Sequence, residues 1–292
     1  MRVADVLELV RAPAVLTVLG DTVVGATASG RPAGPVGVDR LTASGSSALL
    51  YAAGMALNDY ADAELDAEER PERPIPSGRI SRSTALAIAT GLTAGGLALA
   101  AAGGRARLAV AVPLTAMVWT YDLQAKGTPA GPVVMGACRG LDVVMGGAGR
   151  GWRRTLPAAG LLALHTASVT RLSTGEVHGA TRGAAAAALA VTGLTGAGVV
   201  RGATAPALAA AAATAYAGTC GPAQAAAVQD PAAPTVRTAT RAGISAMVPL
   251  QAALAARSGR PAPVAALGLL TLATRALAAR RRRSTDTTGD LT

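Results

Sequence analysis

Phenylalanine is missing from this chain, lysine occurs once, and aromatic residues make up only 2% of it. A net charge of +10 would otherwise suggest nucleic acid. A single-stranded site needs rings for bases to stack on, and a duplex site needs a basic face. Here the arginines are scattered through the gaps between apolar runs, so nucleic acid is not an expected partner. Cysteine is scarce as well. Cys138 and Cys220 lie in apolar runs, with no CxxC and no histidine at ligand spacing, so they read as buried thiols and not as a zinc or redox site. Charged residues reach 15%, against about 25% in an average soluble domain.

What fills the chain instead is apolar and small. Hydrophobic residues are 51% of it and mean hydropathy is +0.38. Alanine and glycine abound, which lets membrane helices approach closely without large side chains. Apolar runs recur at about 9–29, 41–57, 82–103, 106–121, 130–149, 155–171, 183–200, 203–222, 241–257 and 261–279. The expected fold is therefore all-α, a polytopic membrane bundle of nine to ten transmembrane helices. It forms a single domain over 1–283, followed by a disordered polar tail, 284–292. The run beginning near Leu9 contains Asp21 and reads as a first membrane helix, not a cleavable signal. Arginines bias alternate loops toward a cytosolic N-terminus, and Arg280, Arg281, Arg282 and Arg283 point the same way. With that orientation the polar connections 58–81, 122–129, 172–182 and 223–240 gather on the cytosolic face of an inner, plasma-type membrane.

The densest of these is NDYADAELDAEERPERPIPSGRIS, Asn58 to Ser81, which follows an uncharged stretch, 43–57. If it opens as a helix, Asp59, Asp62 and Asp66 stand at i, i+3 and i+7 on one face. Three carboxylates on a stripe repel one another unless cations sit among them, and Mg²⁺ takes oxygen ligands from carboxylates and substrate phosphates. Asn58 adds a neutral carbonyl. A solvated amphipathic connector would have a similar charge content. Beyond the carboxylates, Pro74, Pro76 and Gly78 interrupt the helix, and Arg73 and Arg79 are presented by a constrained loop. Guanidinium forks suit a diphosphate, although ion pairs with Glu68, Glu69 or Glu72 are the simpler use for them.

Three further stretches carry chemistry. In WTYDLQAKGTPAG, Lys126 is the only lysine among 27 basic residues, a compact ammonium suited to a phosphate contact, and Tyr121 is placed to line the mouth of a cavity. In GACRGLDVVMGG, Arg139 and Asp142 lie within an apolar run, where i, i+3 spacing allows them to pair or to meet substrate; Asp21 shares that ambiguity. In RLSTGEVHGATRG, Glu176 and His178 follow the sixth run as the acidic block follows the second, so the two loops are expected to face each other. His178 is a base or a plain loop histidine, whereas His165, in an apolar run, reads as a satisfied core residue.

The block Asn58 to Ser81 resembles the first aspartate-rich motif of the UbiA superfamily of intramembrane prenyltransferases, NDxxDxxxD followed by an RPIPSGRIS-like segment. Asn58, Asp59, Asp62 and Asp66 match it position by position, and Tyr121 and Lys126 resemble the family's Tyr and Lys after the fourth helix. YDLQAKGTPAGPVVMGACRGLD is similar to the EboC-like branch. The resemblance implies a helical bundle around a central cavity open to the cytosol and laterally to lipid. It implies Mg²⁺ as cofactor, held by Asn58, Asp59, Asp62, Asp66 and Glu176, and a prenyl diphosphate contacted by Asn58, Arg73, Arg79, Lys126 and Arg139. Asp59, Asp62, Asp66, Tyr121 and Lys126 would form the catalytic set.

This chain departs from the family at the second motif. Where DxxxD is expected it has Glu176 with Ala180 four residues on, so one carboxylate of the second metal site is present, with Asp142 and His178 as the remaining candidates. Two functions follow. One is a prenyltransferase joining an isoprenoid to a small-molecule acceptor, aromatic or lipid-like. The other is a non-catalytic isoprenoid-binding membrane protein acting as carrier or assembly partner. Neither reading fixes the oligomeric state.

Overall fold

Proline and glycine punctuate the chain, and helices fill the intervals between them. The computed structural model describes residues 2–30, 37–149 and 151–272, and among these there is no strand. In chain order the helices are α1 (Val3–Leu9), α2 (Leu16–Ala28), α3 (Val38–Ala61), α4 (Ala63–Glu69), α5 (Arg82–Ala102), α6 (Arg105–Thr120), α7 (Gly131–Gly146), α8 (Leu156–Ser173), α9 (Arg182–Val200), α10 (Pro206–Gln229), α11 (Ala233–Ser245), α12 (Met247–Ala256) and α13 (Pro261–Leu272). Each expected apolar run carries helix within the described residues. The tail 284–292 and Arg280, Arg281, Arg282 and Arg283 lie outside them.

Local chemistry sets the helix ends. Ser81 accepts from the Thr84 amide at 3.1 Å to start α5, and Thr181 does the same for α9 through Ala184. Prolines stand in the first turn of α7, α8, α10 and α11, where a missing N–H costs nothing. Two boundaries differ from the hydropathy reading. The first apolar run is interrupted at Arg11 between α1 and a 3₁₀ turn, Ala12–Val15. The ninth is preceded by the polar α11 and broken at Ala246.

Helices pack chiefly against their neighbours in sequence, α3 on α5, α7 on α8 and α9 on α10. The circuit closes where α12 meets α2, and α2 also packs on α7. The α2–α7 seam is backbone against backbone. A β-carbon at Gly25 would collide with the Val143 carbonyl oxygen, and one at Gly146 with that of Thr22, the close approach that small residues allow in membranes. Val24, Val143, Leu162, Tyr216 and Leu250 form the centre of the largest buried cluster. His165 belongs to this interior, as expected: Nε2 lies 3.1 Å from the Gly243 carbonyl oxygen and Nδ1 2.8 Å from the Tyr216 hydroxyl. Two helices, Arg82–Ala102 and Arg182–Val200, are long and apolar enough to cross a membrane by length and composition.

Candidate functional site

The end of α3 brings the acidic block to the mouth of a cavity of about 460 Å³. Its walls come from α2, α3, α6 and α7, with Val18, Leu50, Met55, Leu114, Val118 and Met135 supplying apolar surface. At the mouth stand Arg11, Asn58, Asp62, Arg73, Asp122, Lys126 and Glu176. Polar groups thus gather at the mouth, and the shaft behind them is mainly apolar until Ser47, Arg139 and Asp142 at its inner end.

The carboxylate stripe is not one unbroken helix. α3 stops at Ala61, Asp62 takes φ −86° and ψ 5°, and α4 resumes at Ala63, with the Asp62 and Asp66 amides still donating to Asn58 and Asp62 carbonyls. Asp59 and Asp66 are buried while Asp62 is partly open. Each has a cation. The Arg73 guanidinium bridges Asp59 at 3.4 Å and Asp66 at 2.5 Å, Arg70 lies 3.8 Å from Asp66, and Lys126 donates to Asp62. Arg11 donates to Asp59 at 2.9 Å and to the Asn58 carbonyl oxygen at 3.3 Å. Arg73 and Lys126, singled out from sequence for phosphate, therefore reach the block as expected, but they rest on its carboxylates.

Two irregularities of backbone aim these groups. Arg11 has φ 47°, the left-handed region that a side chain other than glycine's seldom adopts, and among the described residues it alone does so. After α6 the chain makes a π-helical turn, Tyr121–Ala125, closed by the Lys126 amide on the Tyr121 carbonyl at 2.8 Å. The widened turn puts Tyr121, Asp122 and Lys126 together on the cavity. Asp122 accepts from the Asn58 side-chain amide at 3.1 Å, and burial pushes its carboxyl up to about 6. Sequence reasoning passed over Arg11 and Asp122 as site residues. Arg11 stands two residues before Pro13, next to the Ala12 that a following proline turns away from helix, and that was the available signal.

Other expectations are corrected. Arg79 does not face the cavity; it binds Glu8 at 2.6 and 3.0 Å, Asp5 at 3.2 Å and the Glu72 carbonyl, pinning α1 to the proline loop. The Arg2 backbone amide, donating to Asp5 at 2.9 Å, holds that carboxyl down at about 2, with the Arg2 and Arg79 side chains contributing. Arg139 does not pair with Asp142 three residues on. It turns to Asp21 of α2 at 3.0 Å, while Ser47 of α3 donates to Asp142 at 2.6 Å, so partners from packed neighbouring helices replace the one offered along α7 itself. Arg139 and Asp142 line the inner end of the cavity, away from the mouth. Glu176 does reach the mouth opposite Asp62, and its backbone carbonyl is held by Arg237 at 2.8 Å. His178, two residues further, is exposed and outside the cavity lining.

The donor set suits a hard cation, since Asn58, Asp59, Asp62, Asp66 and Glu176 offer oxygen alone. Yet among the described residues no three carboxylate, histidine or thiolate groups converge as a metal cluster. Guanidinium and ammonium groups stand between the carboxylates, so a metal fits once these cations turn elsewhere.

Known proteins agree with this architecture. The description of the UbiA prenyltransferase family matches residues 18–218. Digeranylgeranylglyceryl phosphate synthase of Ignicoccus hospitalis is 40% identical over 42% of this chain and 39% of its own length. The enzyme of that name from Methanopyrus kandleri is 45% identical over 28% of this chain and 31% of its own. The matched segment thus spans under half of these relatives. Among solved structures, the apo form of a UbiA homologue from Aeropyrum pernix K1 has a TM-score of 0.65 at 21% identity, covering 82% of this chain and 96% of that one. A UbiA homologue from Archaeoglobus fulgidus, bound to GPP and Mg²⁺, has a TM-score of 0.55 at 14% identity, covering 89% and 99%. At such identities the likeness is one of fold. With 201 of 292 residues inside the family match, the chain belongs to the UbiA prenyltransferase family.

Proposed function

We propose that this protein is an integral membrane prenyltransferase that moves an isoprenoid chain from a prenyl diphosphate to an aromatic or lipid-like acceptor. One observation carries the reading: carboxylates and cations interleave at the mouth of a chamber with mainly apolar walls. Nine to ten helices cross an inner, plasma-type membrane, with the mouth toward the cytosol. The names of the curated relatives favour a lipid-like acceptor. The EboC-like stretch from Tyr121 to Asp142 is a second pointer to branch, and the acceptor's identity follows from neither.

Asn58, Asp59, Asp62, Asp66 and Glu176 would hold Mg²⁺, which supplies electrostatic stabilisation to the departing diphosphate. The chain's own residues do the rest. Arg73, Lys126 and Arg11 exchange carboxylate for phosphate oxygens when substrate enters, since a guanidinium fork binds either in a bidentate manner. They then stabilise charge growing on the leaving group as the C–O bond breaks. Tyr121 borders the same opening, and the walls of Leu50, Met55, Leu114 and Val118 keep water from the allylic cation. The acceptor attacks that cation and gives up its proton at the wet mouth.

The second reading, an isoprenoid-binding protein without turnover, is favoured by one feature, the lone Glu176 where the family has a carboxylate pair. Purified protein in bilayer discs, given Mg²⁺ and prenyl diphosphates of several lengths, separates the two. Release of diphosphate, with a prenylated lipid or aromatic product found by mass spectrometry, supports transfer. Binding without release supports the carrier, and no binding at all refutes both.

A further inference from the structure

The inner end of the cavity is polar, and a polar floor beneath an apolar shaft calls for an explanation. Ser47, Arg139 and Asp142 line it. Arg139 donates to Asp21 at 3.1 Å and to the Thr17 carbonyl at 3.2 Å, and Gln251 donates to Asp21 at 2.6 Å. The cluster is buried, with Asp21 and Gln251 fully enclosed and Asp142 5% exposed. Its hydrogen bonding is incomplete. Among the described residues, Asp142 takes the Ser47 hydroxyl on Oδ2, while its Oδ1 and Gln251 Oε1 have no donor.

The depth of this floor follows from helix geometry. Ser47 and Asp59 are twelve residues apart on α3, about 18 Å at 1.5 Å per residue. On α7, Asp142 is eleven residues beyond Gly131, about 16 Å from the mouth. Two walls therefore agree. A diphosphate seated on the acidic block occupies the outer part of that length. An extended isoprenoid advances about 5 Å per unit, four bonds at ordinary bond lengths and angles. Two units fit above the floor, the third reaches it, and a fourth has no straight path.

We infer that the Ser47–Arg139–Asp142 floor is a chain-length stop that selects prenyl diphosphates of two or three isoprene units over those of four. This rests on the proposed prenyl diphosphate site. An apolar chain terminus pressed on this floor would strip the remaining water from the Arg139 and Asp142 side chains, which keep 8% and 5% exposure and would gain no hydrogen bond in return, and burial penalises that. The terminus is admitted to the shaft and refused at its base.

Wild-type protein in bilayer discs tests this with Mg²⁺ and four probes: inorganic pyrophosphate and geranyl, farnesyl and geranylgeranyl diphosphates. Geranyl and farnesyl diphosphate should bind about tenfold more tightly than geranylgeranyl diphosphate, the equivalent of one or two methylenes left unburied. The combined variant Asp21→Leu/Arg139→Met/Asp142→Leu, which removes the buried ions together so that none is stranded, should bring the affinity ratio of the longest to the shortest chain toward one. Wild-type binding of geranylgeranyl diphosphate as tight as farnesyl diphosphate overturns the inference, whether or not the variant folds. Mg²⁺-dependent pyrophosphate binding with a flat chain-length profile sinks the floor alone; absence of binding by every probe sinks the diphosphate site and the inference with it.

Discussion

The acidic segment from the end of α3 through α4 and the loop after α8 meet across one opening, yet they are built differently. The first carries Asp59, Asp62 and Asp66, each already held by a cation of the chain, with two of the three buried. The second contributes Glu176 to the cavity, while His178 points to the exterior and Ala180 stands where a second carboxylate would complete the pair. The difference teaches that charge balance at this mouth is settled on the α3 side before any ligand arrives. On the proposed function, Arg73 and Lys126 stand where Mg²⁺ would, and substrate binding would be an exchange of partners.

The asymmetry breaks most sharply on the first loop. Asp62→Ala and Asp66→Ala should each lower Mg²⁺-dependent diphosphate release by 100-fold or more, roughly the loss of one strong electrostatic contribution at a transition state, measured with purified protein. If Glu176→Ala costs as much as either, the two loops are equals after all. Arg73→Gln removes the cation that Asp59 and Asp66 share, leaving Asp59 to Arg11 and Asp66 to the more distant Arg70. It should destabilise the protein by roughly 1 to 2 kcal/mol in metal-free detergent, read by thermal unfolding, and added Mg²⁺ should recover part of the loss. Failure of Mg²⁺ to help would argue against the exchange.

Asp122 offers a probe of similar size through pH. Burial raises its carboxyl from 3.8 to about 6 in the folded protein. A raised carboxyl favours the folded state fully below the unfolded value and loses that contribution as pH rises through the folded one. Between pH 4 and 6 the wild type should lose on the order of 2 kcal/mol of stability relative to Asp122→Asn, measured by denaturant unfolding. The smallest effect is expected from Ala180→Asp, which restores the missing carboxylate. A several-fold gain in Mg²⁺ affinity by titration calorimetry would show the second loop to be depleted, and no gain would show it to be dispensable.

The sequence exposed what is local. Asn58, Asp59, Asp62 and Asp66 fall close together in sequence, as do Tyr121 and Lys126; Asn58, Asp62, Tyr121 and Lys126 line the cavity, while Asp59 and Asp66 are buried behind Arg11 and Arg73, which do. The helices themselves follow from uninterrupted apolar runs between prolines, glycines and caps. What was hidden depends on packing between distant segments. Arg139 finds Asp21 from 118 residues away and Asn58 finds Asp122 from 64, so i, i+3 spacing misled where tertiary approach overrode it. Neither the Asp62 break nor the π turn has a periodic signature. Arg79 looked like a phosphate ligand because α1, which claims it, shows no pattern strong enough to announce an acidic surface helix.

The bare seam between α2 and α7 has a mechanical consequence. At Gly25 against Val143 and Gly146 against Thr22 backbone meets backbone with no side chain between, and the Asp21–Arg139 ion pair ties the same two helices, so rolling or sliding one past the other drives backbone into backbone at those points. The pair therefore moves as one beam, carrying Asp21, Arg139 and Asp142 as fixed fittings. Any gap wide enough to admit a lipid must open along joints made of deformable side chains, such as those of Leu114 and Val118 on α6, and must close again onto a wall that has not shifted.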